Sequence, residues 1–505
     1  MNRQTKLVIW FFCFLKLALH LIADSNSGFQ GDELLHIEAG NNLAFGFMEF
    51  PPIIGLLAFI QNLFQSESVF IHHIFSHIAA LLILIFVSKI TIELGGKTKA
   101  VFLVLLCIII APAFGRSQQL FQPVVFSQLF WVLNFFLLTK YVKNLDRNYL
   151  WLLTFGAALA FLTKYDAVFF IFGVSSLLFF TSTRVALIKH KFWWHIIVFI
   201  LLISPNIIWQ IVHDFPVLKM FHRLYETQLV EQTPLAVLQG LLMALNPLSL
   251  LITIAAIISM AHHSMKAYRP LIISMLLSCI FLAFSQGKGY YFYPIALTVL
   301  PFGGVFWEHF ILPKRKWLIY PIGFILFIGV LLIPFGMPVF ALENYLKHDY
   351  PYENREPVKG GLFNVKYDER YTKEKWTATL KELQNVYDSL PNSEKNNTII
   401  WGKHYAQAGA INLFQKHYDL PKAFSLHGSF YNWVPEGEMP ETTLCLGYNI
   451  GGFFNEYFEE VTKVKTIYNP YAENEEEVHQ HIFICKKPKQ SFGRLKTLFK
   501  DRVFE

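Results

Sequence analysis

The sequence predicts an all-α polytopic membrane protein of about eleven transmembrane helices, followed by a C-terminal α/β domain outside the cytoplasm. Three observations carry this. Of the 505 residues, 54% are hydrophobic and only 16% charged, against about 25% charged in an average soluble chain. Apolar runs recur as far as residue 340, near the roughly 20 residues that one bilayer crossing needs. Beyond that point the runs stop and charges become frequent.

In chain order, spans are predicted near 7–23, 69–89, 99–115, 120–139, 149–163, 167–182, 193–212, 237–260, 270–286, 289–310 and 317–339. Residues 7–23 read as a retained first span, because no small-residue cleavage site follows them. Segment 51–65 is apolar but short and opens with Pro51-Pro52, so it is placed as a helix on or dipping into the outer surface.

The loops set the orientation. Arg3 and Lys6 hold the N-terminus in the cytoplasm. With eleven spans, the loops carrying Lys89/Lys97/Lys99, Lys140/Lys143/Arg147, Arg184/Lys189/Lys191, Lys266/Arg269 and Lys314/Arg315/Lys316 all fall on the same side. The net charge of +7 is spread through these short loops, which argues against nucleic acid as a partner. The other side receives 24–68, the later short loops and everything after 340. Residues 1–340 are therefore expected to form a transmembrane domain with a catalytic first outer loop at 24–68, and 341–505 an extracytoplasmic domain.

That last part reads as a helix at 373–390, with Trp376, Leu380, Leu383 and Tyr387 on one face. A strand at 398–401 leads into a helix around 405–417, and further strands are expected at 422–426, 443–448, 461–468 and 480–486. Cys445 and Cys485 lie on two of these strands and are read as free thiols.

The densest acidic cluster of the first half is Gly31-Asp32-Glu33-Leu34-Leu35-His36-Ile37-Glu38, followed by Glu49-Phe50-Pro51-Pro52. The bland account is a solvated helix start, since acids favour a first turn. It competes with the gathering of other polar residues on the same predicted side: His72, His73, His77, Arg116, Lys164, Asp166, His213, Asp214 and Lys288. Charges near apolar runs mark cavities or pathways more often than chance. His73 and His77 stand four apart, but no HExxH or cysteine pattern supports a metal, and none is assigned. No P-loop, dinucleotide fingerprint or GxSxG elbow is present, so no soluble nucleotide cofactor is expected. A substrate already in the membrane fits better.

Seven features in the right order resemble the membrane glycosyltransferases that include protein O-mannosyltransferases and lipid A aminoarabinose transferases. They are Asp32-Glu33, Gly46…Pro51-Pro52, Glu93-Leu94-Gly95-Gly96, Leu162-Thr163-Lys164-Tyr165, and Pro205-Asn206-Ile207-Ile208-Trp209 with His213-Asp214-Phe215-Pro216-Val217. Lys288-Gly289-Tyr290-Tyr291-Phe292-Tyr293-Pro294 and Tyr405-Ala406-Gln407-Ala408-Gly409-Ala410 complete the set.

This resemblance implies the C-type glycosyltransferase fold, a polyprenyl-phosphate sugar donor, an extracytoplasmic acceptor and a bacterial inner-membrane location with a periplasmic C-terminal domain. Transfer by single displacement would invert the anomeric centre. Asp32 would act as general base, with Glu33 or Glu49 orienting acceptor or sugar. Lys164, Lys288, Arg116 and His73 would neutralise the leaving phosphate, and Tyr165, Tyr290 and Tyr291 would line the sugar or lipid groove. Two departures stand out. His73 replaces an Arg common in relatives, and the Phe121–Gln128 stretch lacks their acid, with Ser127 at the substituted position. The competing readings are a transporter or flippase of a lipid-linked saccharide, which is expected to show inverted repeats or paired broken helices, and an inactive scaffold.

Overall fold

The fold is taken from a computed structural model that describes all residues except 231, 286, 348–356, 359–361, 364–369, 449–451, 470–477 and 505. Two compact units form: Met1–Ile22, Phe50–Ile53 and His73–Val339 make the first, and Ala23–Glu49, Ile54–His72 and Phe340–Glu505 the second. The acidic first loop is thus grouped with the C-terminal sheet domain.

The first unit is helical. Among the described residues, seven helices are long and apolar enough to cross a membrane: Arg3–Asn26, Val69–Glu93, Pro123–Asn144, Phe192–Val212, His263–Phe284, Gly289–Ile311 and Lys316–Gly336. Their outward faces carry bare apolar side chains such as Phe14, Leu201, Phe284 and Phe324, which suit lipid and would be costly in water. Arg147–Phe161 is a 15-residue helix, short for a crossing.

Three expected spans are broken. Thr98–Ile110 and Pro112–Gln119 meet at 72°, Ala167–Phe179 and Thr181–Lys189 at 104°, and Pro234–Ala244 and Pro247–Ala261 at 92°. The sequence reads as one continuous span at each of these places, and the structure breaks all three. Two breaks have a proline cause: Ala111 is extended before Pro112, and Asn246 sits at φ +68° before Pro247. The third bends at Phe180, also extended. Buried polar groups serve the freed backbone. Asn246 Nδ2 donates to the carbonyls of Ile110 and Gly329. The buried ammonium of Lys16 donates to the Phe114 carbonyl at 2.6 Å.

In the second unit, strands β1 (Pro357–Val358) and β2 (Leu362–Phe363) form a small antiparallel ladder. The main sheet contains β3 (Thr398–Gly402), β4 (Ala423–Phe424), β5 (Thr442–Tyr448), β6 (Phe458–Tyr468) and β7 (His479–Pro488), in the order β4-β3-β5-β7-β6. β4, β3 and β5 are parallel, and β7 and β6 add antiparallel. The Tyr405–Leu413 helix makes the β3-to-β4 crossover that parallel pairing requires. The exposed edge strand β6 carries Glu459, Glu460, Lys463 and Lys465, which oppose pairing with another sheet. Trp401, 1% exposed, packs among Phe424, Phe454, Tyr457 and Phe499 as core. All five cysteines are free, with Cys445 and Cys485 buried.

Candidate active site

In the second unit, the Gly31–Asn41 helix starts with a capping box. Gln30 Oε1 accepts the Asp32 amide at 2.8 Å, and Glu33 Oε2 accepts the Gln30 amide at 2.8 Å. Glu33 is buried and its carboxylate caps its own helix. Asp32 differs. Its Oδ1 accepts the hydroxyl of Tyr405 at 2.5 Å, and among the described residues no other donor reaches the carboxylate.

Small side chains make this contact possible. A Cβ on Gly409 would lie 2.9–3.1 Å from the Cβ, oxygen and carbonyl carbon of Leu34. Ala406, Ala408 and Ala410 are buried on the same helix. The run Ala406-Gln407-Ala408-Gly409-Ala410 therefore lets the Tyr405 helix approach the Gly31 helix closely, and Tyr405 at its start reaches Asp32.

Tyr405 sits in a cluster of rings. The His404 ring lies 4.0 Å away and the His427 ring is stacked at 4.9 Å. Burial, with the neighbouring His427 and lysine charges, holds His404 well below the usual imidazole range, and burial with Lys403 lowers His427 to about 4. Burial, the Asp32 charge and its hydrogen bond push the Tyr405 hydroxyl well above its ordinary value, so it remains a donor.

Glu49 occupies a tailored slot. Its Oε1 accepts the Ser429 amide at 2.8 Å, and its Oε2 accepts the Ser429 hydroxyl in a short bond. Gly428, at φ +57°, has no Cβ to block it: one built there would lie 2.1 Å from Glu49 Oε1. Burial raises Glu49 to about 7, with the Asp32 charge adding and the Ser429 bonds opposing. Glu38 is raised by burial and is held by Asn41 at 3.0 Å.

The first unit holds a separate polar cluster. Lys164 Nζ lies 2.5 Å from Asp166 Oδ2, and Ser127 Oγ donates to both Asp166 oxygens at 2.9 and 3.0 Å. The ammonium also sits 4.0 Å from the Tyr291 ring centre and 5.4 Å from that of Tyr290, and Lys288 lies 6.0 Å from the Tyr290 ring. Proximity here comes from three chain segments: the turn after Arg147–Phe161, the second turn of Pro123–Asn144 and the short Gly289–Phe292 helix.

Tyr165 is anchored through its hydroxyl. Its hydroxyl donates to Asn206 at 3.1 Å and accepts from Gln210 at 2.9 Å, tying it to the Phe192–Val212 helix. Arg116 donates to Gln119 at 3.0 Å. His73 is buried and meets the His77 ring edge-on at 5.9 Å, while His77 Nδ1 lies 3.1 Å from His20 Nδ1.

The structure thus gathers Asp32 and Glu49 in one unit and Lys164, Lys288, Tyr290 and Tyr291 in the other. His427 and Ser429 extend the first group, and Asp166 the second. Tyr405 was readable only as the head of a recurring sequence feature, and nothing in the sequence signals Ser429 as a partner of Glu49.

Residues 51–209 match the family model described as dolichyl-phosphate-mannose-protein mannosyltransferase. Among curated proteins, none matches the chain. The crystal structure of ArnT from Cupriavidus metallidurans bound to undecaprenyl phosphate is similar to this chain with a TM-score of 0.61 at 10% identity. The match covers 94% of this chain and 97% of that one. The apo structure of the same protein gives 0.58 at 11% identity over the same shares. The chain has an ArnT-like fold, the C-type glycosyltransferase fold. At such low identity the likeness carries the fold alone, and the chemistry rests on the residues above.

Proposed function

We propose that the chain is an integral membrane glycosyltransferase that moves a sugar from a polyprenyl-phosphate donor to an extracytoplasmic acceptor, with inversion at the anomeric carbon. The observation that carries the reading is the Asp32 carboxylate held by Tyr405 at 2.5 Å with no second donor among the described residues. A general base needs this arrangement: an oriented carboxylate with a lone pair left for the substrate proton. Asp32 accepts the acceptor's proton as its oxygen attacks the sugar, the C–O bond to the phosphate breaks, and the polyprenyl phosphate leaves. Glu49, half-buried beside the Asp32 charge, orients acceptor or sugar through its neighbours. Glu33 shapes the helix start.

In the first unit, Lys164 would take charge from the departing phosphate, held in place by Asp166 and by the faces of Tyr290 and Tyr291. Lys288, Arg116 and His73 are assigned supporting roles in phosphate binding, and the apolar helices would house the isoprenoid tail. Asp166 takes the part of the acid missing at Ser127, because Ser127 grips that carboxylate from the substituted position. The setting proposed is a bacterial inner membrane, with the N-terminus inside and the sheet domain in the periplasm.

The test compares surface glycans and glycolipids by mass spectrometry in wild type, a deletion strain and the deletion carrying Asp32→Asn at matched expression. A sugar mass lost in the deletion and not restored by the variant supports transfer. Full restoration by Asp32→Asn removes the base. The three bent helix pairs give a second reading, transport of a lipid-linked saccharide, some weight. That reading predicts restoration.

A further inference from the structure

We infer that the sheet domain carries a binding pocket for one phosphate-like oxyanion, formed by Lys403, His427 and Arg502 over an aromatic floor. The pocket has a volume of about 80 Å³ and is walled by Trp401, Phe453 and Phe499. This is well above the roughly 10–15 Å³ that one water needs and suits one small anion. Its polar rim is wholly cationic or neutral.

Lys403 follows β3, where its backbone is locked by bonds from its amide to the Leu446 carbonyl and from Ser425 Oγ to its own carbonyl. Its ammonium sits 4.9 Å from the Phe453 ring centre and makes no ion pair among the described residues. Arg502 lies 5.4 Å over the Phe499 ring and shares a hydrogen bond with Tyr457, whose hydroxyl also meets Glu456. Two cations are therefore pinned on aromatic faces, so little side-chain entropy remains to be lost on binding.

His427 supplies the second, independent observation. Its Nδ1 is buried with no protein partner among the described residues. A buried ring nitrogen without a partner calls for a ligand or water to satisfy it. Held neutral by burial and by Lys403, the ring can offer an N–H to an anion oxygen without a third full charge in the pocket. Its stacking on Tyr405, the partner of Asp32, would pass occupancy of the pocket to the candidate base. The pocket itself does not depend on the proposed transfer.

The experiment uses the full-length protein in detergent and in nanodiscs, with inorganic phosphate as probe, followed by calorimetry and ³¹P line broadening. The wild type is expected to bind phosphate saturably. Lys403→Gln should weaken it about tenfold or more, the loss of one charge-assisted contact. Arg502→Gln should do the same, and because Arg502 also supports Tyr457, Lys403→Gln with an unchanged melting temperature is the deciding variant. Two arms separate the sources: free phosphate binding that disappears in nanodiscs containing phosphatidic acid indicates a lipid headgroup, and binding that persists indicates a soluble or saccharide phosphate. Absent saturable binding, or binding unaltered in a folded Lys403→Gln, overturns the proposal.

Discussion

Glu49 offers a test that needs no substrate. Its carboxyl is raised to about 7 from the usual 4.5, chiefly by burial. Below pH 4.5 the group is protonated folded and unfolded, and contributes nothing to pH dependence. As pH rises from 4.5 to 7, the unfolded chain ionises first and the folded state holds more protons, so stability falls. Above 7 the cost is complete, of the order of 3 kcal/mol at 1.36 kcal/mol per pH unit. Glu49→Gln mimics the protonated form. Its oxygen still accepts the Ser429 amide, and its NH₂ can donate to the Ser429 hydroxyl, which accepts as well as donates. The variant should therefore match the wild type at pH 4.5 and become progressively more stable than it up to pH 8. Thermal melting in detergent at steps of one pH unit reads this, at about 2–4 °C per kcal/mol for a unit of this size. Melting curves that stay parallel at every pH would refute the buried-acid account.

Three further outcomes follow from the geometry. Tyr405→Phe keeps the ring stack and removes the donor to Asp32, and should lower transfer about tenfold or more with little change in melting temperature, measured as product formed per enzyme. Lys164→Met leaves Asp166 buried without its cation and should destabilise by about 3 kcal/mol or more. The double variant Lys164→Met/Asp166→Asn should regain stability but not donor-lipid binding, read by lipid co-purification. Gly409→Val places carbon atoms into Leu34 and should cost about 1–3 kcal/mol while uncoupling Tyr405 from Asp32, so melting temperature and transfer fall together.

The membrane character and the five main-sheet strands were legible because each depends on local pattern: apolar length and alternation. The helix breaks were less so, although Pro112 and Pro247 stood in the sequence. A proline inside an apolar run can kink a helix without ending it, and the angle of 72° or 92° depends on partners such as Asn246. The second carboxylate of the sheet-domain cluster shows the opposite limit. Glu49 reads as one acid in a loop, yet its environment is made by Gly428 and Ser429, about 380 residues later. No window of sequence holds both.

Ser127 shows how a substitution can be misread when position stands in for chemistry. The resemblance leads one to expect an acid at this point of the chain, and a serine there reads as an impaired site. Ser127 Oγ is instead anchored on both oxygens of Asp166, 39 residues on, and Asp166 pairs with Lys164 at 2.5 Å. The hydroxyl is short enough to leave room for a carboxylate arriving from the turn before the Ala167–Val174 helix, and a second acid at 127 would set two negative charges within a few ångströms. Serine is then the residue that Asp166 requires. Ser127→Asp should weaken the Lys164 pair by repulsion where an impaired-site account expects it to restore activity. Ser127→Asp combined with Asp166→Ser should recover function, since it moves the carboxylate back without changing the charge. Rescue by the double swap, with failure of the single one, decides between compensation and decay. A single Ser127→Asp that raises transfer would end the compensation argument.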